Sequence, residues 1–299
     1  RGYSHFRHTP LSQPIGHTMK HTASNHIAFL GGGNMATAII TGMIQKGGFL
    51  PTQISVVEHN EAQRDLLSRD LGVQCFENIA FAHAQMSSAP NVWVLAVKPQ
   101  NMHEALAELA QHITPEQIAL SIAAGLPMAT LQNWLNGHGK IVRTMPNTPA
   151  LVGQGMTGVF APNLNPDEHA LIEKILASVG QMVWVSDESQ IDAITAISGS
   201  GPAYVFYMME QLTQAAVDLG FDVATAKQLV QATFAGAVQL AGESTESIAT
   251  LRERVTSKGG TTAAALESFA AHGLDSAIHA GVIACKARAE ALAQELSAG

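Results

Sequence analysis

The sequence has few cysteines, little charge and no long apolar runs. Its two cysteines, Cys75 and Cys285, are too far apart to form a metal-type or redox-type motif, and a reducing, cytoplasmic setting is the simplest expectation. No apolar run reaches the 18 or more residues that a membrane span needs. Charged residues make up 13% and the net charge is −8, which argues against a basic nucleic-acid-binding surface. We therefore expect no metal, nucleic-acid or membrane partner.

The composition is that of a globular protein of two domains. Apolar residues make up 46% of 299 residues, and the chain has no low-complexity block. Residues 1–18 have no apolar period and no signal-peptide core, so we interpret them as a leader or cloning remnant without stable structure. Residues 19–186 are predicted to form a dinucleotide-binding domain, and residues 187–299 a helical domain.

The first half alternates short apolar runs with amphipathic stretches. Helical periods occupy residues 35–45, 61–71 and 102–112. The apolar runs are residues 26–30, 54–57, 91–97, 118–124, 140–144 and 182–185. Apolar strands that alternate with helices predict a parallel sheet covered on both faces, which is a doubly wound α/β fold of the Rossmann type.

The second half contains no strand-like run after residue 187. Helical patterns, several of them closed by glycine, occupy residues 202–219, 223–241, 264–272 and 274–296. They predict an all-α bundle whose long apolar helices would suit an interface between subunits. A monomeric bundle is the alternative.

A glycine motif follows the first predicted strand and opens a helix. Gly31, Gly33 and Ala36 form the pattern GxGxxA within FLGGGNMA. Glycine there permits a tight turn and close approach of a pyrophosphate to the helix N-terminus, so the motif predicts dinucleotide binding. The alternative is an ordinary glycine-rich turn between a strand and a helix.

Other candidates end the later strands. Glu58 is placed to bond the adenosine ribose, which favours NADH, although the neighbouring His59, Asn60 and Arg64 could weaken that preference. Lys98 is either a cofactor contact or an ordinary loop lysine. In MPNTP, residues 145–149, the amide of Asn147 could face the nicotinamide. The alternative is a stiff connector between domains.

A polar loop, VTSKGGTTAAALE at residues 255–267, interrupts the helical half. Gly259 and Gly260 leave backbone N–H groups unobstructed, and Thr261 and Thr262 precede a predicted helix. Such a position binds a carboxylate through unpaired N–H groups and the helix dipole. The alternative is that Thr261 only caps the helix. Ser200, in GSGP, is interpreted mainly as structural, with a minor substrate contact.

Several motifs occur together and in order: FLGGGNMA, LAVKPQ, SIAAG, MPNTP, ITAISGSGPAYVF and LRERVTSKGGTTAAALE. From about residue 26 to the end, the chain closely resembles the pyrroline-5-carboxylate reductase family. The resemblance implies reduction of 1-pyrroline-5-carboxylate to L-proline by NADPH or NADH, the last step of proline biosynthesis. It also implies a C-terminal domain that builds a homodimer or a ring of dimers.

The resemblance further implies site residues, with Thr262 as the catalytic residue whose hydroxyl reaches the ring nitrogen. The implied substrate loop comprises Ser257, Lys258, Gly259, Gly260, Thr261 and Thr262. The implied cofactor residues are Leu30, Gly31, Gly32, Gly33, Asn34, Met35, Glu58, Asn78, Ala96, Val97, Lys98, Pro99, Ala123, Ala124 and Gly125. Lys258 departs from the family, which usually has proline there, and places a cation beside the expected carboxylate.

Two other functions remain open. A reductase of the β-hydroxyacid-dehydrogenase type would place a catalytic lysine in the interdomain helix, and residues 194–206 contain none. A dinucleotide-sensing protein without catalysis would keep the glycine turn, but it would have no reason to keep MPNTP and the anion loop.

Overall fold

The computed structural model describes residues 25–297, so the interpretation of residues 1–18 lies outside the described residues. One sheet organises the first half, in the order β3-β2-β1-β4-β5-β6-β7-β8. The strands are β1 Ile27–Leu30, β2 Ile54–Val57, β3 Gln74–Phe76, β4 Val92–Leu95, β5 Ile118–Ser121, β6 Ile141–Met145, β7 Gly155–Phe160 and β8 Gly180–Trp184.

Helices flank the sheet and then continue alone to the end of the described chain. Those of the first half are α1 Asn34–Gln45, α2 Glu61–Leu71, α3 Ile79–Gln85, α4 Pro99–Leu109, α5 Met128–Trp134 and α6 Pro166–Leu176. The later helices are α7 Ser189–Ile194, α8 Gly201–Asp218, α9 Val223–Glu243, α10 Ile248–Arg254, α11 Thr261–Ala271 and α12 Leu274–Ser297. No helix in this described part is long and apolar enough to cross a membrane.

The sheet is mostly, but not entirely, parallel. Strands β1 to β6 pair in parallel, whereas β7 runs antiparallel to β6 and parallel to β8. The predicted parallel sheet is present, and it includes one antiparallel pair, between β6 and β7, among the described strands. The link from β6 to β7 holds only a 3₁₀ turn, Thr148–Val152, and parallel strands need a longer crossover. The carboxyl ends of β1, β2, β4, β5 and β6 still meet at one edge, where ligands bind in such folds.

Two apolar cores cover the two faces of the sheet. Helix α1 packs on one face through Ile39 and Ile40, and helix α4 packs on the other through Met102 and Leu106. All four side chains are fully buried. The continuous apolar strands follow from this two-sided burial.

The helical half buries little of its apolar surface within one chain. Helices α8, α10 and α11 contain no fully buried residue. Phe206 and Tyr207 of α8 are 65% and 64% exposed, and Val238 of α9 is 70% exposed. Exposure of so many large apolar side chains is typical of a protein interface.

A buried cation joins the sheet to the helical half. Arg143 on β6 is 3% exposed, and its guanidinium binds Glu188 at 2.9 Å and Asp192 at 2.7 Å. Glu188 also accepts from the backbone N–H of Met128, at 2.6 Å. These contacts fix the start of α7 against β6 and the start of α5. Loss of either carboxylate would leave the buried guanidinium with uncompensated charge, so the arrangement is costly to disrupt.

A buried histidine makes the stability of the fold depend on pH. Burial lowers the pKa of His26, although the Ser88 carbonyl, which its Nδ1–H meets at 2.8 Å, opposes the shift. The unfolded chain then binds a proton at a pH where the folded chain does not, so stability falls as pH drops through about 6.5. We expect the free energy of unfolding to be lower at about pH 5.5 than at about pH 7.5.

Urea denaturation of the wild type and of His26→Gln at both pH values measures this effect. Burial also lowers the pKa of His138, so the variant should lose part of the pH dependence. The carboxylates with lowered pKa lose their stabilising charge only at more acidic pH, outside this window. An unchanged pH dependence in His26→Gln would contradict the assignment.

Candidate active site

The glycine turn between β1 and α1 is held from both sides. The N–H of Gly31 donates to the carbonyl of Val57 at 2.8 Å, and the N–H of Ala96 donates to that of Leu30 at 2.8 Å. Gly31 has φ +100°, and a Cβ there would lie 2.8 Å from the carbonyl oxygen of Ala96. Only glycine combines this backbone conformation with this close approach.

Gly33 leaves open space at the start of α1. It is the N-cap of the helix, no side chain caps that end, and an added Cβ would meet nothing within 4 Å. The first N–H groups of a helix have no partner within the helix, and they attract an anion together with the helix dipole. These residues fit the pyrophosphate of a dinucleotide.

Glu58 closes the turn from the end of β2. Its Oε2 accepts from the N–H of Gly32 at 2.8 Å, and its Oε1 accepts from the N–H of Asn60 at 2.8 Å. Arg64 donates to the backbone carbonyls of Glu58 and His59, each at 2.8 Å. The Glu58 carboxylate therefore lies beside the glycine turn, and the guanidinium of Arg64, from α2, binds the backbone of the same loop.

The other candidates for the cofactor shell follow later strands at the same edge. Ala96, Val97 and Lys98 come directly after β4, and Pro99 begins α4. Ala123 to Gly125 follow β5, where a Cβ on Gly125 would lie 3.4 Å from Leu296 of α12. Asn78 follows β3 and caps α3 by accepting from the N–H of Phe81 at 2.7 Å.

The loop between α10 and α11 begins a helix without a side-chain cap. Helix α11 starts at Thr261, and its N-cap is Gly260. The alternative that Thr261 caps the helix is therefore wrong, because Thr261 is itself the first helical residue. Gly259 has φ +70°, and a Cβ on Gly260 would lie 2.3 Å from Oγ of Ser257, so both positions favour glycine.

The polar groups of this loop are available to a ligand. Its backbone hydrogen bonds are local, from the N–H of Gly260 to Ser257 and from that of Ala264 to Gly260. Thr262 is half-buried, and within residues 25–297 its hydroxyl makes no hydrogen bond. Unpaired N–H groups at a helix start, beside a free hydroxyl, can hold a carboxylate and a neighbouring polar atom.

Two polar residues considered in the sequence analysis, Asn147 and Ser200, form hydrogen bonds with other groups of the protein. The amide of Asn147 donates to the carbonyl of Ser198 at 2.9 Å, and its oxygen accepts from the N–H of Met156 at 2.8 Å. These bonds favour the connector interpretation over a contact with nicotinamide. The hydroxyl of Ser200 accepts from the thiol of Cys285 at 3.2 Å, which supports its structural role.

Sequence reasoning missed the ion-pair cluster that joins the two halves. Arg143 lies within an apolar strand pattern, and its carboxylate partners are 45 and 49 positions away. A lone cation in a buried strand, which requires a partner, was the available signal.

Models of known families match both halves of the chain. Residues 188–292 match the model described as pyrroline-5-carboxylate reductase dimerisation, and residues 26–125 match that of NADP oxidoreductase, coenzyme F420-dependent. The chain is 42% identical over 266 residues to the pyrroline-5-carboxylate reductase of Haemophilus influenzae, covering 88% of this chain and 96% of the relative. The chain belongs to the pyrroline-5-carboxylate reductase family.

Solved structures of pyrroline-5-carboxylate reductases share the fold. That of the Coxiella burnetii enzyme matches with a TM-score of 0.82 and 37% identity, covering 90% of this chain and 98% of the other. The Plasmodium falciparum enzyme, solved with NADP bound, matches with a TM-score of 0.78 and 26% identity, covering 90% and 98%. The family resemblance and the Rossmann-type fold class predicted from the sequence are thereby confirmed.

Proposed function

We propose that this protein reduces 1-pyrroline-5-carboxylate to L-proline with NAD(P)H, in a site formed by the glycine turn at the sheet edge and the loop at residues 257–262. The observation that carries the proposal is the presence of two anion-binding helix starts in one reductase-family chain. One, at α1, suits a pyrophosphate; the other, at α11, suits a small carboxylate. We take residues 19–186 and 187–299 as the corresponding domains.

The cofactor end is assigned to the residues that surround the turn. Leu30 to Met35 hold the pyrophosphate, Glu58 contacts the adenosine ribose, and the remaining groups extend along the edge toward the nicotinamide. Those groups are Asn78, Ala96, Val97, Lys98, Pro99, Ala123, Ala124 and Gly125. NAD(P)H, when bound, supplies the hydride for the imine carbon.

The substrate end is assigned to the loop. Gly259 and Gly260 leave the backbone N–H groups clear, so they and the start of α11 bind the carboxylate with Ser257 and Thr261. Thr262 orients the ring nitrogen and relays a proton to it. A threonine hydroxyl is a weak acid, so water or an already protonated imine shares that step.

The proposed assembly is a homodimer or a ring of dimers. Its support is the exposed apolar face of α8 and α9, together with the match of residues 188–292 to the family's dimerisation model. Burial of that face against a second copy removes apolar surface from water. The transfer contributes a favourable free energy of roughly 25 cal/mol for each Å² of apolar surface buried.

Glu58 is expected to set cofactor preference. Its carboxylate stands beside the turn where a 2′-phosphate would approach, so the wild type should favour NADH. Glu58→Ser should raise kcat/KM for NADPH relative to NADH by about fivefold or more, because two like charges about 4 Å apart repel by about 1 kcal/mol even at the dielectric constant of water. Glu61→Gln, at an exposed carboxylate on α2, is the matched control. An unchanged ratio in Glu58→Ser would contradict this role.

Lys258 is expected to strengthen carboxylate binding. It is exposed and makes no ion pair within the described part of the chain. Lys258→Ala should raise KM for the substrate by about two- to fivefold and weaken its dependence on salt, because an exposed charge is screened. Lys174→Ala, at an exposed lysine on α6, should change neither. Unaltered KM and salt dependence in Lys258→Ala would refute the proposal.

Steady-state oxidation of NADH and NADPH in the presence of 1-pyrroline-5-carboxylate tests the proposed function. We expect substrate-dependent oxidation with both cofactors. Small open-chain carbonyl acids, offered in parallel, represent the hydroxyacid-dehydrogenase alternative. Preference for those acids, or nicotinamide binding without turnover, would overturn the proposal.

A further inference from the structure

The carboxamide of Asn147 connects the end of β6 to the first turn of the helical half. Asn147 is 8% exposed. Its side-chain oxygen accepts a hydrogen bond from the N–H of Met156 on β7, and its side-chain nitrogen donates one to the carbonyl of Ser198. The two bonds are 2.8 Å and 2.9 Å long, and the second spans 51 positions of sequence. One side chain therefore links MPNTP to SGSGP.

The carbonyl of Ser198 needs a donor from outside its own helix. In an α-helix its partner would be the N–H of residue 202, but Pro202 has none. The next N–H, that of Ala203, donates to Ser200 at 3.0 Å. Asn147 replaces the missing helical donor for this partly buried carbonyl, which would otherwise lose a hydrogen bond.

The segment that Asn147 holds is a π-helix, Thr195–Gly199. Single turns of π-helix occur frequently at functional sites. The surroundings are close-packed: a Cβ on Gly199 would lie 2.6 Å from Met145, and a Cβ on Gly158 would lie 2.4 Å from Ile194. Strand β6 therefore packs closely against the π-helix, and strand β7 packs closely against the last residue of α7.

The link borders a cleft of about 370 Å³. Asn147 and Pro149 line one side, and Ile197, Ser198, Pro202 and Phe206 line the other. Since β6 is parallel to β5, the Asn147 side lies at the sheet edge assigned to the cofactor.

We propose that Asn147 is a positioning residue for imine reduction, which fixes the start of α8 relative to the cofactor edge through the carbonyl of Ser198. The inference rests on the proposed function. If the link breaks, the cofactor still binds at the sheet edge, but the substrate is misplaced relative to the nicotinamide.

Kinetics of three variants test this role. Asn147→Ala should lower kcat/KM for 1-pyrroline-5-carboxylate by about 10- to 100-fold, with the Kd for NAD(P)H changed less than about twofold. Asn147→Asp still accepts from Met156, but when ionised it cannot donate to Ser198. It should match the alanine variant near neutral pH and recover, relative to wild type, as the pH falls and the carboxyl group gains a proton to donate.

Asn165→Ala is the matched control, because Asn165 caps α6 through the same kind of bond, to the N–H of Glu168 at 3.0 Å. It should lower the melting temperature without affecting kcat/KM. The positioning role is overturned if Asn147→Ala retains wild-type kcat/KM, if its NAD(P)H affinity falls in parallel, or if Asn147→Asp shows wild-type activity across the pH range.

A separate measurement keeps this inference independent of the reaction. If the wild type does not reduce the imine, the proposed function fails, and amide hydrogen exchange then tests the link. Asn147→Ala should speed exchange in residues 195–203 but not in α6. Unchanged exchange in residues 195–203 would overturn the link itself.

Discussion

Thr262→Ala is expected to lower kcat for imine reduction by about 100-fold or more, within the usual range for loss of a group that assists proton transfer. The hydroxyl is half-buried at the start of α11, free of hydrogen bonds within residues 25–297, and beside N–H groups suited to a carboxylate. Its removal leaves the α1 end intact, so the Kd for NAD(P)H should remain unchanged. Stopped-flow and steady-state kinetics separate the two effects.

Two neighbouring variants sharpen this test. Thr262→Ser keeps the hydroxyl and should retain most of the activity. Thr261→Ala removes an exposed hydroxyl from the preceding residue and should have a much smaller effect. A Thr262→Ala protein with a kcat near that of the wild type would remove this residue from the mechanism.

Gly33→Ala is expected to weaken NAD(P)H binding by at least about tenfold without reducing the melting temperature, because the site requires close approach of the pyrophosphate. The backbone at Gly33, φ −69°, suits alanine, and the added methyl group meets nothing within 4 Å in the protein. The methyl group would extend only into the proposed pyrophosphate site. Fluorescence titration with NADH and NADPH measures the loss.

Gly139→Ala and Gly31→Ala provide the comparison. A Cβ at Gly139 also meets nothing within 4 Å, and Gly139 lies outside the proposed site, so affinity should be unchanged. At Gly31 the positive φ and the contact with Ala96 predict lower stability as well as weaker binding. Unchanged affinity in Gly33→Ala would contradict the pyrophosphate assignment.

The elements predicted best from the sequence are those with a strong local pattern. The runs that became β1, β2, β4 and β5 are buried on both faces, so they are almost entirely apolar, with Ser55 in β2 and Ser121 in β5 as the exceptions. Strand β3 was missed because it has only three residues, one of them an exposed glutamine. Strand β7, GMTGVF, was missed because its two glycines interrupt the apolar run.

The parts of the candidate site that lie within one short segment of the sequence were predictable. The glycine turn and the loop at residues 257–262 are local motifs, and the helix starts expected beside them are present at α1 and α11. The links of Asn147 to Ser198 and of Arg143 to Glu188 join residues about 50 positions apart. Such pairs follow from packing, which no local pattern encodes.

Transfer of label from deuterated cofactor tests the central claim most directly. NADH or NADPH deuterated at the transferable position is mixed with 1-pyrroline-5-carboxylate and the protein, and the products are analysed by mass spectrometry and NMR. We predict L-proline carrying one deuterium at the carbon that was part of the imine. Cofactor oxidation without labelled proline, or no turnover with either cofactor, would contradict the proposed reaction.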